Sequence, residues 1–149
     1  MRALVLAVGR ARDPEIEALI RRYALRCPWP IEVVEVVPKG RAIGAEAEAD
    51  ALLRHLPGHT PAVVLDERGA DLTSRDLAVR LGRWRDEGNA AVAFLVGGAD
   101  GHGEAVRRRA DLRLALGRLT WPHLLVRAML VEQIYRATTI LAGHPYHRG

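Results

Sequence analysis

The sequence predicts a single α/β domain built on a parallel β-sheet. Apolar segments of strand length alternate with segments of helix length from one end of the chain to the other. Each strand candidate is a nearly continuous apolar run, which is typical of parallel strands covered by helices on both faces. Because the chain contains no linker, repeat or low-complexity segment, we predict one domain over residues 1–149, with five strands and about five helices.

The first half of the chain carries three of the predicted strands. Residues 2–8 and 31–37 are apolar and rich in β-branched residues, and both are predicted as strands. Between them, residues 13–25 have apolar side chains at helical spacing behind an Asp-Pro pair that suits a helix start. Residues 45–56 form an Ala- and Leu-rich helix, and residues 62–65 a short apolar strand.

The second half continues the alternation and ends in an unusually apolar helix. The predicted segments are a helix over 74–87 capped by Thr73 or Ser74, a strand over 90–96, a short helix over 102–109, a short strand over 112–116 and a helix over 122–141. The last helix is apolar nearly all round, so it must be buried on more than one side. A two-fold homodimer interface would bury it, and the alternative is a central core helix in a monomer.

Composition restricts the class of protein. The chain has 149 residues, enough for a sizeable core, with 49% hydrophobic and 27% charged residues. No apolar run reaches the roughly 20 residues of a membrane helix, and the short apolar start reads as a first strand rather than a signal peptide. The single Cys27 cannot form an internal disulfide or a cysteine-based zinc site. We therefore expect a cytoplasmic protein with no membrane segment.

The positive charge is compatible with a nucleic-acid partner. The net charge is +4, and all of the 22 basic residues except Lys39 are arginines. Arginine makes bidentate contacts with phosphate and stacks on bases, which suits an RNA partner. A bias in genome composition would also explain the preference for arginine, so charge alone does not decide between the two.

Segments that contain glycine lie at the ends of three of the predicted strands, at residues 65–69, 96–101 and 116–122. Ligands of open parallel sheets bind beyond the carboxyl ends of the strands, and glycines there let the backbone approach a ligand closely. Each segment taken alone could be an ordinary turn, and Asp66 an ordinary loop acid. The P-loop, GxGxxG and GxSxG motifs are absent, which argues against a phosphate cradle, a Rossmann dinucleotide site and a serine-hydrolase elbow.

The chain ends in a polar tail with an unusual concentration of functional groups. Residues 144–148 read His-Pro-Tyr-His-Arg and provide donors, acceptors, a cation and a stacking ring, the groups that proteins use on RNA. The proline and the lack of further ligands argue against a metal site, so we expect no metal. A frayed terminus without function is the alternative.

Taken together, these segments resemble the ribosomal large-subunit pseudouridine N3-methyltransferases, a family of the SPOUT class. The resemblance covers essentially the whole chain and rests on residues 6–9, 23–28, 96–98, 120–123, 125–137 and 144–148. It implies a C-terminal trefoil knot, S-adenosylmethionine as cofactor, and methylation of N3 of a pseudouridine in 23S ribosomal RNA, on the assembled ribosome. The chain departs from the family at Trp121, which could change the wall of the cofactor pocket.

The resemblance also implies which residues form the site. Those expected to bind the cofactor are Leu65, Gly97, Leu116, Gly117, Arg118, Leu119, Thr120 and Trp121. In the tail we expect His147 to handle a proton, Arg148 to hold phosphate or developing negative charge, and Tyr146 to stack on or bond to a base. In a SPOUT homodimer the tail of one subunit typically reaches toward the cofactor site of its partner. The alternatives are a SPOUT methyltransferase of another RNA and a non-catalytic ribosome- or RNA-binding factor.

Overall fold

The computed structural model describes residues 1–149 and confirms an α/β fold on one parallel sheet. The strands are β1 (Arg2–Val8), β2 (Ile31–Val36), β3 (Ala62–Ala70), β4 (Ala91–Val96) and β5 (Leu112–Leu114). The helices are α1 (Pro14–Arg26), α2 (Ala45–His55), α3 (Ser74–Asp86), α4 (Glu104–Arg109) and α5 (His123–Leu141). The sheet order is β2-β1-β4-β3-β5, and every pair of neighbouring strands is parallel.

Helices cover both faces of the sheet, as the continuous apolar strands predict. On one face α3 and α5 bury apolar side chains against the sheet, and α1 packs on α5. On the other face α2 and α4 pack together over a second, smaller core. No helix combines the length and the apolarity that crossing a lipid bilayer would require. The knot implied by the resemblance stays a prediction.

The third strand is longer than predicted, and the fifth is shorter. β3 continues past its apolar run through the polar residues 66–69, with a register shift on β5 between Leu65 and Ala70. A side chain on Gly69 would bring its first carbon within 2.7 Å of the Arg113 backbone, so the extension requires glycine at that position. The predicted strand ends at Leu65 because the charged Asp66 follows it. The strand nevertheless continues as an irregular, solvent-facing segment, which the sequence pattern does not indicate.

The helix boundaries lie within two residues of the predicted ones, and the caps explain where two helices begin. Oδ1 of Asp13 accepts hydrogen bonds from the N–H groups of Glu15 and Ile16 at the start of α1. Thr73, rather than Ser74, caps α3, through a reciprocal pair of hydrogen bonds with Asp76.

A buried arginine fixes the start of α5. Arg127 is 1% exposed, although its helix is otherwise apolar in this region. Its guanidinium donates to Glu35 Oε2 at 2.9 Å, to the carbonyl of Val8 at 2.7 Å and to that of Gly9 at 2.9 Å. Glu35 also accepts a hydrogen bond from the N–H of Ala11. That bond and Arg127 together outweigh burial and hold the pKa of Glu35 below its ordinary value. Arg127 therefore ties α5 to the carboxyl ends of β1 and β2.

Replacing Arg127 with methionine, which keeps most of its volume, should lower the free energy of unfolding by roughly 2 kcal/mol, because the carbonyls of Val8 and Gly9 lose their donor and Glu35 loses its ion pair. Urea denaturation at pH 7 measures this, with the exposed Arg22→Met of α1 as control. Since the folded pKa of Glu35 is lowered, the ion pair contributes stability above pH 4.5 that is lost as pH falls through the lowered pKa. The difference in free energy of unfolding between wild type and variant should therefore become smaller at acidic pH. A loss below about 1 kcal/mol at pH 7 would show that the pair does not anchor the helix.

Candidate active site

A cleft of about 410 Å³ lies at the carboxyl ends of β3, β4 and β5, beside the first turn of α5. This volume is within the range of small-molecule pockets, about 300–1,000 Å³. Seven of the eight residues expected to bind the cofactor line it: Leu65, Gly97, Leu116, Gly117, Leu119, Thr120 and Trp121. The eighth, Arg118, lies in the same loop with an exposed side chain but does not line the cleft.

The loop between β5 and α5 is held in a closed shape by its own tryptophan. The indole Nε1 of Trp121 donates to the carbonyl of Leu116 at 2.8 Å, which joins the two ends of the loop. Gly117 has a φ of +85°, a conformation that side chains disfavour. Trp121 is therefore both a wall of the cleft and the residue that closes the loop.

The loop after β4 is packed closely around its first two residues, both glycines. A side chain on Gly97 would bring its first carbon within 3.2 Å of the His102 ring, and one on Gly98 within 2.9 Å of Glu48 Oε1. The loop closes through a hydrogen bond from the N–H of Gly101 to the carbonyl of Gly98. The backbone, rather than side chains, therefore forms this wall of the cleft.

His102 and Glu48 are two buried polar groups beside this loop to which sequence reasoning assigned no role. His102 is 7% exposed and lines the cleft, and its Nε2 has no hydrogen-bond partner. Burial lowers the pKa of His102, so its ring is neutral at physiological pH. Oε2 of Glu48 is also buried without a partner, and burial followed by the charge of Asp100 raises the pKa of that carboxyl. Only the position of His102 just after a glycine-rich strand end could have indicated its place in the cleft.

Asp66 is committed to structure rather than to proton transfer. Its side chain is 7% exposed and lies 3.0 Å from Arg113 Nη2 and 3.6 Å from Arg107 Nε. Burial acts to raise its pKa, but the N–H of Arg68 and the guanidinium of Arg113 outweigh burial, so the pKa is lowered. The carboxylate therefore stays ionised and paired at neutral pH.

The C-terminal tail folds back along α5. Tyr146 donates its hydroxyl hydrogen to Glu132 Oε1 at 2.9 Å, and its ring lies 4.7 Å from that of Tyr135. Burial and the bond to Glu132 raise the pKa of Tyr146 to about 12, so the phenol is neutral at physiological pH. Arg136 donates to His147 Nδ1 at 3.1 Å and also pairs with Glu132 at 2.7 Å.

These contacts determine what each tail residue is free to do. His147 accepts with Nδ1, so that nitrogen must leave Arg136 before it can take up a proton. Arg148 is exposed and forms no ion pair. The last carbonyl, that of Gly149, accepts from Arg75 Nε at 2.6 Å. The tail is therefore docked rather than frayed, and none of its residues lines the cleft of its own chain.

A second groove joins the cleft to the helix that carries the tail. It measures about 450 Å³ and lies between α1, α5 and the start of α3, with ten hydrophobic residues among fifteen. Leu114, Leu116 and Gly117 line both cavities, and Glu132, which holds Tyr146, lines the groove. The cleft, the groove and the tail's anchor are thus contiguous on one side of the molecule.

This chain is an α/β protein with a cleft of small-molecule size at the carboxyl edge of its sheet. A family model described as a predicted SPOUT methyltransferase matches residues 1–147, and the chain belongs to that family. Two curated relatives are each named ribosomal RNA large subunit methyltransferase H. The one from Rhodospirillum centenum is 54% identical, and the one from Paramagnetospirillum magneticum 52%, each over 99% of both chains. The family resemblance predicted from the sequence is confirmed.

A solved structure supports the fold independently. A probable methylase family protein from Haemophilus influenzae superposes with a TM-score of 0.58 over 99% of this chain and 70% of the other. At 7% identity the likeness concerns the fold alone.

Proposed function

We propose that this chain is an S-adenosylmethionine-dependent methyltransferase that modifies N3 of a pseudouridine in 23S ribosomal RNA, on the assembled ribosome in the cytoplasm. The observation that carries the proposal is the cleft, in which seven residues expected from the family meet at one edge of the sheet. Relatives of the same length, named for large-subunit ribosomal RNA, support this target over another RNA. A non-catalytic RNA-binding factor would not need such a cleft.

The residues of the cleft fit the cofactor chemically. Apolar side chains of Leu65, Leu116 and Trp121 offer surfaces for an adenine ring, and the glycine-lined backbone offers N–H and carbonyl groups. The neutral, buried Nε2 of His102 is a polar atom without a partner at the cleft wall. When bound, the cofactor supplies an electrophilic methyl group, so the protein has only to orient the acceptor and manage its proton.

Methylation of the N3 nitrogen of pseudouridine requires groups that remove its proton and stabilise the resulting charge, and the tail offers such groups. An imide N–H is a poor nucleophile until its proton is lost, and the resulting anion needs a cation nearby. Arg148 is exposed and unpaired, and it can supply that charge. His147 can accept the proton once substrate draws its Nδ1 away from Arg136. Tyr146, neutral and bonded to Glu132, holds the tail in position.

Two copies of the chain would complete the site. The tail does not line the cleft of its own subunit, whereas the apolar groove beside the cleft remains open along α1 and α5. A homodimer that covered this groove would bury its apolar surface. It would also bring the tail of one subunit toward the cleft of the other. We therefore propose a homodimer with composite active sites.

Gly97→Val should reduce the affinity for S-adenosylmethionine at least tenfold, which corresponds to about 1.4 kcal/mol. A branched side chain at this position would collide with the His102 ring and occupy part of the cleft. Trp121→Phe, which keeps a ring but loses the hydrogen bond to Leu116, should weaken binding more mildly. Titration calorimetry measures both. Gly58→Val is the control, because a side chain at Gly58 meets open space. Wild-type affinity in both cleft variants would refute this cofactor site, and no binding by the wild type would refute cofactor use.

His147→Ala and Arg148→Ala should each reduce methylation of large ribosomal subunits at least tenfold, because losing a charge-assisted contact costs roughly 1.5–3 kcal/mol. The melting temperature and cofactor affinity should barely change. The assay is single-turnover transfer of a tritiated methyl group, with the exposed His59→Ala and Arg54→Ala as matched controls. Wild-type rates in both tail variants would make the catalytic assignment wrong. Loss of cofactor binding in both would instead assign the tail to the cofactor pocket.

A further inference from the structure

The loops that follow β1 and β2 lie beside the cofactor cleft. Val8 of β1 is in register with Val36 of β2, and the N–H of Gly9 donates to the carbonyl of Val36 at 2.9 Å. On the other side of β1, Ala7 is in register with Val96, the last residue of β4. Residues 9–13, 37–44 and 97–101 therefore leave the same edge of the sheet as three neighbouring loops.

The first two of these loops carry free positive charge. Their basic residues are Arg10, Arg12, Lys39 and Arg41, all exposed and none in an ion pair. Their one acidic residue, Asp13, caps α1. The neighbouring carboxylate of Glu35 is already held by Arg127 and the N–H of Ala11, although Arg10 contributes to the lowering of its pKa.

On the opposite side of the cleft, three arginines are held in ion pairs. Beyond β3, Arg107 and Arg113 share the carboxylate of Asp66. Arg109 pairs with Asp111 and donates to the carbonyl of Thr60. These three guanidiniums serve the fold. Arg68 and Arg118 are exposed and unpaired on that side, but they lie apart from each other in the sequence, whereas the loops after β1 and β2 carry four unpaired cations between residues 10 and 41.

Exposed apolar side chains accompany these cations. Six large hydrophobic residues of the chain are exposed. Two of them, Val37 and Ile43, lie in the same loop as Lys39 and Arg41, and two others, Leu119 and Trp121, lie in the cleft loop after β5. Ile43, at 90% exposure, is two residues from Arg41. Cations that bind phosphates, next to apolar surfaces that pack on bases and riboses, form the combination that RNA-binding surfaces use.

We propose that residues 9–12 and 37–43 form a phosphate-binding rim that binds the ribosomal RNA backbone next to the target nucleotide. The proposal rests on the proposed function for the choice of RNA, and it adds where the RNA lies: on the β1–β2 side of the cleft. The rim contributes binding rather than chemistry, because none of its side chains lines the cofactor cleft. Its effect should therefore appear in substrate affinity and not in the rate of the bound complex.

The test is a double variant, Lys39→Gln with Arg41→Gln, compared with Arg26→Gln and Arg54→Gln. The control residues are exposed cations in the last turns of α1 and α2, at the opposite edge of the sheet, so both variants lose the same net charge. Binding to purified large ribosomal subunits and to protein-free 23S ribosomal RNA is measured over a range of salt concentrations. A second pair, Arg10→Gln with Arg12→Gln, tests the β1 loop independently.

The rim variant should bind both probes at least tenfold more weakly at 0.15 M salt. Its plot of log affinity against log salt should be shallower by about 1.4–1.8, which corresponds to two lost phosphate contacts. KM for subunits should rise while kcat, cofactor affinity and melting temperature stay at wild-type values. The control variant should keep at least half of the wild-type affinity.

Three outcomes would overturn the proposal. The first is an RNA affinity and salt slope that stay at wild-type values in both rim variants. The second is an equal loss of affinity in the control variant. The third is a loss of affinity for intact subunits but not for protein-free RNA, which would indicate a protein partner. A wild type that binds RNA through the rim but transfers no methyl group to 23S ribosomal RNA would refute the proposed function and leave the rim standing.

Discussion

The ion pair between Arg127 and Glu35 is the interaction on which both parts of the site depend. Arg127 fixes the first turns of α5, one of which lines the cleft, against the carboxyl ends of β1 and β2. The same helix carries Glu132 and Arg136, which hold the tail two turns further along. A shift of α5 along its axis would therefore displace the cofactor loop and the tail together. Arg127 itself is buried, so its charge depends on these three acceptors, whereas Glu35 remains partly open to solvent.

The parallel sheet supplies the second constraint. All five strands point the same way, so every loop after a strand emerges at one edge of the molecule. The loops that contain glycine form the cleft there, which we propose binds the cofactor, and the basic loops after β1 and β2 lie beside it. The protein is thus divided into a rigid core, built from alternating apolar strands, and an edge on which nearly all of the proposed chemistry lies.

Much of this architecture could be predicted from the sequence, because it follows from local rules. Apolar runs located the strands, Asp13 located the start of α1, and the glycines after three strands located the cleft. What could not be predicted depends on contacts between distant residues. In the sequence, Arg127 is one polar residue within an apolar helix. Its partner Glu35 lies 92 residues earlier, so no local pattern indicates that the two form an ion pair. The docking of the tail on Glu132 and the continuation of β3 beyond Asp66 have the same origin.

In the proposed homodimer, each active site combines the cleft of one subunit with the tail of its partner. Co-expressing Gly97→Val and Arg148→Ala chains with different affinity tags allows the heterodimer to be purified and its transfer of methyl groups to large ribosomal subunits to be measured. The heterodimer has one intact cleft that faces one intact tail, so it should recover about half of the wild-type rate, whereas each homodimer stays nearly inactive. A heterodimer as inactive as both homodimers would place the tail in its own subunit's site and contradict this account.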